Sequence, residues 1–148
     1  MKDLPHHYAV TASASGGGYV ALESPGLATL QSAGPAEFGG PGDLWSPETL
    51  LVAAVGDCLI LSFRAIAHAS GLDWTSLRCD VVGDLDRVDK VMRFTDFHIR
   101  ATLEIPEGQA EEKARRLLAK AEKSCLVSNS LSARMHFAAD IAQAGVAS

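Results

Sequence analysis

Residues 45–70, WSPETLLVAAVGDCLILSFRAIAHAS, predict one long buried helix. Ser46 can cap this helix, Pro47 suits its first position, and Glu48 lies favourably at the positive end of the helix dipole. We expect the helix to continue to the end of this segment and to stop at Gly71. Because it is apolar nearly all round, it should be the central helix of the fold, packed on both sides.

Strands and further helices flank this segment. Grouped strands, rather than strands that alternate one for one with helices, indicate an α+β domain with antiparallel sheets around the buried helix. The expected elements are strands over residues 7–14, 19–24 and 27–31, a glycine-rich loop over 34–42, strands over 77–81 and 97–105, an amphipathic helix over 107–123, a short helix over 124–131 and a last strand over 135–141. The N-terminal strands bury little by themselves, so we expect them to pair with a partner subunit.

The residues that should face the core follow from the spacing of apolar side chains. Alternate residues of the clearest strand and one stripe of the amphipathic helix are apolar. These inward residues are Phe97, Ile99, Ala101, Leu103 and Ile105 on the strand, and Ala114, Leu117, Leu118 and Ala121 on the helix.

The composition indicates a single globular domain over residues 1–148, with 47% hydrophobic and 21% charged residues. A net charge of −5 argues against a nucleic-acid partner, because phosphate binding needs a basic face. Three cysteines are too few for a disulfide-stapled secreted fold, and the N-terminus lacks the apolar core of a signal peptide, so we expect a cytoplasmic protein. The apolar run from Leu50 to Phe63 is interrupted by Asp57 and falls short of the roughly 20 residues of a membrane span.

The cysteines are the side chains best suited to chemistry. Cys58, inside the apolar helix, is either a small buried apolar residue or a reactive thiol. Cys125 is either a core residue or, with Ser124 as the cap of the short helix, a thiolate in its first turn. Cys79 lies on the inward side of its strand and is interpreted as structural.

Other kinds of site lack their sequence signatures. The five histidines show no metal spacing with the cysteines, and there is neither a Cys-x-x-Cys pair nor a His-Glu-x-x-His motif. The triple glycine at residues 16–18 joins two strands and lacks the lysine of a phosphate loop. We therefore expect neither a metal nor a cofactor.

Two motifs resemble those of the OsmC/Ohr family, the osmotically inducible and organic hydroperoxide resistance proteins. The first is FGGPG at residues 38–42 with WSPETLLVAA at residues 45–54, leading to Cys58. The second is KSCLVSNSL at residues 123–131, which contains Cys125. The order of the motifs and the elements around them match as well, so the resemblance covers nearly the whole chain.

This resemblance implies an intertwined α+β homodimer with active sites at the subunit interface. Family members are thiol peroxidases that reduce organic hydroperoxides and are recycled by dithiols such as lipoylated proteins. By motif position, Cys58 would be the peroxidatic thiolate and Cys125 the resolving thiol. Glu48 would match the acidic residue that orients a catalytic arginine beside the reactive thiolate.

The sequence departs from the family pattern at two places. In the organic hydroperoxide branch an arginine follows the first strand, whereas residues 16–19 read GGGY here; Leu126 stands where the family usually has proline. The arginines that could act instead are Arg64, Arg93, Arg100 and Arg134. The missing arginine leaves a second hypothesis open, in which the chain keeps the fold and dimer but binds a ligand or senses oxidation without efficient turnover.

Overall fold

In the computed structural model, which describes residues 2–144, helix α1 covers Pro47–Ser70. Its first turn is held by a reciprocal pair of bonds: the Thr49 N–H donates to the Ser46 hydroxyl at 3.1 Å, and the Ser46 N–H donates to Thr49 Oγ1 at 2.8 Å. The helix ends at Gly71, whose φ of 69° is readily adopted only by glycine. The predicted start and end of the helix are both confirmed.

The chain divides into two compact units between Leu51 and Val52. In the first, three short strands pair as an antiparallel meander in the order β1-β2-β3. They are β1 (Thr11–Ser13), β2 (Val20–Glu23) and β3 (Leu30–Ser32). A 3₁₀ turn (Ala36–Phe38) follows in the glycine-rich loop, where a Cβ on Gly40 would collide with the carbonyl oxygen of Gly34. The loop therefore requires glycine at this position.

The second unit contains a three-stranded sheet in the order β4-β5-β6. Strands β4 (Ser76–Val88) and β5 (Val91–Pro106) form a long antiparallel hairpin. Its two-residue turn, Asp89 and Lys90, has positive φ at both positions, as a tight hairpin turn requires. The chain then crosses through α2 (Glu111–Ser124) and α3 (Leu126–Asn129) to β6 (Arg134–Ala144), which pairs with β5 in parallel. The sheet is thus mixed, whereas the sequence predicted only antiparallel sheets.

The core of the second unit lies on the inner face of this sheet. All nine inward residues predicted for the strand and the amphipathic helix are buried, and α1 adds Val55, Leu59, Phe63 and Ala67. Helix and sheet meet closely at glycine: a Cβ on Gly56 of α1 would lie 3.1 Å from a methyl group of Val81 on β4. This close approach brings α1 against the strand that carries Cys79.

Helix α1 is covered on one side only, so the expectation of packing on both sides does not hold within one chain. Leu61 is 52% exposed, and its exposed neighbours on the helix include Arg64 and Ala65. By length and composition the helix could also cross a membrane, with a mean hydropathy of 2.0, but 22% of that window is buried inside the protein, including the core residue Phe63. A core helix with one unpartnered apolar side accounts for both observations.

Candidate active site

Three free thiols lie in the second unit. Cys58 is half-buried in the middle of α1, Cys79 is half-buried on the inner face of β4, and Cys125 is buried between α2 and α3. The helix, the strand and the crossover thus each contribute one cysteine to the second unit.

Cys58 lies close enough to Cys125 to influence its ionisation. Burial raises the pKa of the Cys125 thiol, hydrogen bonding by Ser128 lowers it, and the Cys58 thiol raises it through hydrogen bonding and charge. The Cys58 thiol therefore opposes ionisation of Cys125, whereas Ser128 favours it. The structure therefore brings together the two cysteines that the sequence motifs singled out.

The backbone around Cys125 explains why its side chain points inward. Helix α2 ends at Ser124, whose hydroxyl donates to the Lys120 carbonyl at 2.9 Å. Cys125 then adopts an extended conformation and begins α3, where its carbonyl accepts the Asn129 N–H at 3.0 Å. The prediction that Ser124 caps the short helix was wrong, because α2 extends through Ser124 and Cys125 occupies the cap position. This break between the two helices buries the thiol.

Each of the two thiols has a serine one helical turn away. The Ser128 hydroxyl donates to Cys125 Sγ at 3.4 Å inside the core. Ser62 Oγ lies 4.0 Å from Cys58 Sγ, which is the longer and weaker contact. Asp57 is exposed on the next face of α1, so its carboxylate is directed away from the core.

Cys79 packs against the side of α1 that faces the sheet, where a Cβ added to Gly56 would lie 3.8 Å from the Cβ of Cys79. Burial, together with the negative charges of Asp80 and Cys125, raises the pKa of Cys79 to about 11. Cys79 is therefore a protonated thiol at neutral pH, which agrees with its interpretation as structural. The effect of Cys125 on the pKa of Cys79 was not predicted, because strand alternation gives the face on which a residue lies but not its neighbours from other elements.

Glu48 has an unsatisfied carboxylate oxygen. Its Oε1 is buried and accepts no hydrogen bond within the described part of the chain. A buried carboxylate oxygen without a donor is costly, so the site suits a cationic side chain or another donor. This observation fits the family role of an acidic residue that orients a guanidinium.

Two of the four candidate arginines are already engaged on the outer face of the sheet. Arg100 pairs with Asp140 at 3.3 Å, and Arg134 pairs with Asp96 at 3.0 Å. Both side chains lie on the face opposite the buried residues of β5. Arg64 on α1 and Arg93 on β5 are exposed, and neither has an ion pair among residues 2–144.

The outer sheet face also carries a histidine pair that sequence analysis did not predict. His98 and His136 occupy paired positions on β5 and β6, and their rings stack with centroids 4.8 Å apart. Each ring nitrogen Nε2 lies 2.8 Å from a carboxylate oxygen, of Asp84 and Asp96 respectively. Among the described residues, no group of three or more His, Cys, Asp or Glu side chains could hold a metal ion.

Comparisons with known proteins agree with this geometry. The family model for OsmC-like protein matches residues 40–139. The uncharacterized protein YmaD of Bacillus subtilis is 27% identical over 113 residues, which are 74% of this chain and 75% of YmaD. The family match includes the segments that carry Cys58 and the crossover.

Solved structures show the same fold. An OsmC-like protein of unknown function from Vibrio cholerae superimposes with a TM-score of 0.83 at 16% identity, covering 91% of this chain and 99% of the other. An organic hydroperoxide resistance protein OsmC from Legionella pneumophila gives a TM-score of 0.71 at 24% identity, covering 93% of this chain and 99% of the other. An organic hydroperoxide resistance protein from Elizabethkingia anophelis gives a TM-score of 0.73 at 18% identity, covering 95% of this chain and 99% of the other. These structures share the fold, and the family match over residues 40–139 establishes that the chain belongs to the OsmC-like protein family.

Proposed function

We propose that this protein is a thiol-dependent peroxidase that reduces organic hydroperoxides to alcohols. The observation that supports the proposal is the proximity of two thiols: Cys58 is close enough to Cys125 to raise its pKa, and Cys125 Sγ accepts a hydrogen bond from Ser128 at 3.4 Å. Two thiols in one site can take up the two oxidising equivalents of a peroxide as a disulfide. The hydroperoxide resistance proteins that share this fold support a role in peroxide resistance.

The reaction begins at Cys58, the more accessible of the two thiols. Its thiolate attacks the distal oxygen of the hydroperoxide, the O–O bond breaks, and the alkoxide leaves as an alcohol after taking up a proton. Cys58 becomes a sulfenic acid. The Cys125 thiolate then attacks the Cys58 sulfur, an S–S bond forms, and the sulfenic oxygen leaves as water.

A dithiol reductant completes the cycle. One of its thiolates attacks the disulfide to give a mixed disulfide, and its second thiol releases the protein as two free cysteines. A lipoylated protein would supply such a dithiol. Because reduction needs access to the disulfide, the half-exposed Cys58 is the sulfur that the reductant would attack.

Glu48 would orient a donor beside the Cys58 thiolate. The support for this role is its buried carboxylate oxygen, which lacks a partner within residues 2–144. Family members are commonly dimeric, and we assign this chain to a cytoplasmic homodimer with its active sites at the subunit interface. The donor for Glu48 would then come from an arginine on either protomer.

A second candidate function is a ligand-binding or redox-sensing protein without efficient turnover. It is favoured by one observation: the glycine turn at residues 16–18 contains no arginine, while Arg100 and Arg134 are held in ion pairs on the outer sheet face. Without a nearby guanidinium, a thiolate loses electrostatic support and the leaving oxygen loses a donor.

Stopped-flow consumption of cumene hydroperoxide by the reduced protein separates these candidates. In a single turnover without added reductant, we expect fast loss of one peroxide per chain and of two thiols. Cys58→Ser should abolish the reaction. Cys125→Ser should still consume one peroxide but leave a sulfenic acid that dimedone traps.

Cys79→Ala is the matched control, because Cys79 is the third thiol and takes no part in the proposed cycle. It should keep the rate of peroxide loss and still lose two thiols. A wild-type rate no faster than that of a free thiol would reject the peroxidase and favour the ligand-binding or sensing protein. Full activity in Cys58→Ser would show that the reactive thiol is a different one.

A further inference from the structure

Ser128 is a buried polar side chain in contact with a reactive sulfur. It is 7% exposed and lies in α3, three residues after Cys125. Its hydroxyl donates to Cys125 Sγ at 3.4 Å, a normal length for a hydrogen bond to sulfur. A hydroxyl buried in this core needs a partner, and the sulfur is the partner that it has among the described residues.

The other polar side chains around α3 are directed elsewhere. The hydroxyl of Ser124 donates to the Lys120 carbonyl, and that of Ser130 donates to the Leu126 carbonyl at 2.7 Å. The Asn129 amide donates to the Lys123 carbonyl at 3.1 Å. These bonds satisfy the ends of helices, as serine and asparagine commonly do. The bond from Ser128 to a side-chain sulfur is of a different kind.

Hydrogen bonding to the sulfur favours its charged form. A thiolate is a far stronger acceptor than a thiol, so an O–H directed at Sγ stabilises the thiolate more than the thiol. The titratable group that acts against ionisation of Cys125 is the thiol of Cys58 on α1, and burial of Cys125 acts in the same direction. The hydrogen bond from Ser128 opposes both effects.

We propose that Ser128 is the positioning residue of the resolving step: its hydroxyl holds Cys125 Sγ and stabilises it as the thiolate that attacks oxidised Cys58. This inference rests on the proposed function and adds a residue to it. In the step, the Cys125 thiolate forms the S–S bond to Cys58 as the S–O bond of the sulfenic acid breaks. Hydroxide leaves and takes up a proton to become water, while Ser128 keeps its own proton.

The kinetic test compares Ser128→Ala with Ser128→Thr, which keeps a hydroxyl. After rapid mixing with cumene hydroperoxide, samples are quenched with N-ethylmaleimide at intervals and the sulfenic acid and disulfide are counted by mass spectrometry. We expect Ser128→Ala to form the sulfenic acid at the wild-type rate but to form the disulfide about tenfold more slowly near neutral pH. This factor corresponds to a rise of about one unit in the pKa of Cys125, which lowers the thiolate fraction about tenfold. Ser128→Thr should recover most of the rate.

Ser130→Ala is the matched control, since it removes a hydroxyl from the same turn that bonds only to a backbone carbonyl. It should leave both steps unchanged. Disulfide formation by Ser128→Ala with the wild-type rate and pH profile would overturn the proposal. So would an equal slowing by Ser130→Ala, because that result would assign the effect to the helix rather than to the bond with sulfur.

A second measurement does not depend on peroxide chemistry. In a Cys58→Ser, Cys79→Ala background, Cys125 is the only thiol, and its thiolate absorption near 240 nm can be titrated directly. Ser128→Ala should move the midpoint upward by about one pH unit, and Ser130→Ala should not. This shift would stand even if the wild-type protein reduced peroxides slowly, whereas an unchanged midpoint would reject the role of Ser128 even in an active peroxidase.

Discussion

Because of Cys79, the free energy of unfolding should depend on pH in the alkaline range. Its pKa rises from 9.0 to about 11 because burial disfavours the thiolate, with Asp80 and Cys125 adding to the effect. Between these values the unfolded chain loses the Cys79 proton while the folded chain keeps it. The free energy of unfolding should therefore be fully retained below pH 9 and fall as the pH rises towards 11.

We expect this fall to be smaller by about 1–2 kcal/mol in Cys79→Ala than in the wild type when urea unfolding is compared at pH 8 and pH 11 under reducing conditions. Val81→Ala removes apolar volume from the same face of β4 without removing a titrating group, so it should lower stability equally at every pH. Parallel pH dependence in wild type and Cys79→Ala would contradict the assignment of the raised pKa to Cys79.

At the level of elements, α1 and the sheet approach so closely that a methyl group does not fit. A Cβ on Gly83 of β4 would lie 2.9 Å from a methyl carbon of Val52 and 3.0 Å from the ring of Phe94. We expect Gly83→Ala to lower the free energy of unfolding by about 1–3 kcal/mol, measured by urea unfolding, because overpacking forces helix and strand apart.

Two comparisons check this explanation. Gly17→Ala meets nothing within 4 Å and should change stability little, since it alters only the freedom of an open turn. Val52→Ala removes the clashing methyl groups, so in combination with Gly83→Ala it should cost less than the sum of the two single changes. Strict additivity would show that the collision is not the cause.

Elements with a strong local signal could be predicted from the sequence. Ser46 and Gly71 mark the ends of α1, and the inward stripe of α2 is buried as the 3.6-residue period predicted. The long hairpin was predicted too short, because the residues after Val82 are mostly charged and do not alternate regularly with apolar ones. The predicted strand over residues 7–14 is reduced to Thr11–Ser13, the part that pairs with β2.

Contacts between distant elements could not be predicted in this way. Motifs gave Cys58 and Cys125 as a pair, but the bond from Ser128 depends on the break at Cys125, which local propensity placed one residue early. The parallel pairing of β5 with β6 depends on the crossover through α2. The alternation of residues within a strand shows which face is buried, but it does not show the direction of the neighbouring strand. The sequence therefore identifies which thiols could be reactive, but only the fold shows which residues surround them.

At the level of the whole molecule, the exposed side of α1 predicts a homodimer. Leu61 is 52% exposed on a long apolar helix, as expected of a surface that a second copy covers. We expect light scattering after size exclusion to give twice the 15.6 kDa of one chain, and Leu61→Lys to give the single-chain mass because a buried unpaired charge opposes association. Val82→Lys places the same charge at a 59% exposed valine on the polar sheet face and should leave the dimer intact. A dimer that survives Leu61→Lys, or a monomeric wild type, would exclude this side of α1 as the interface.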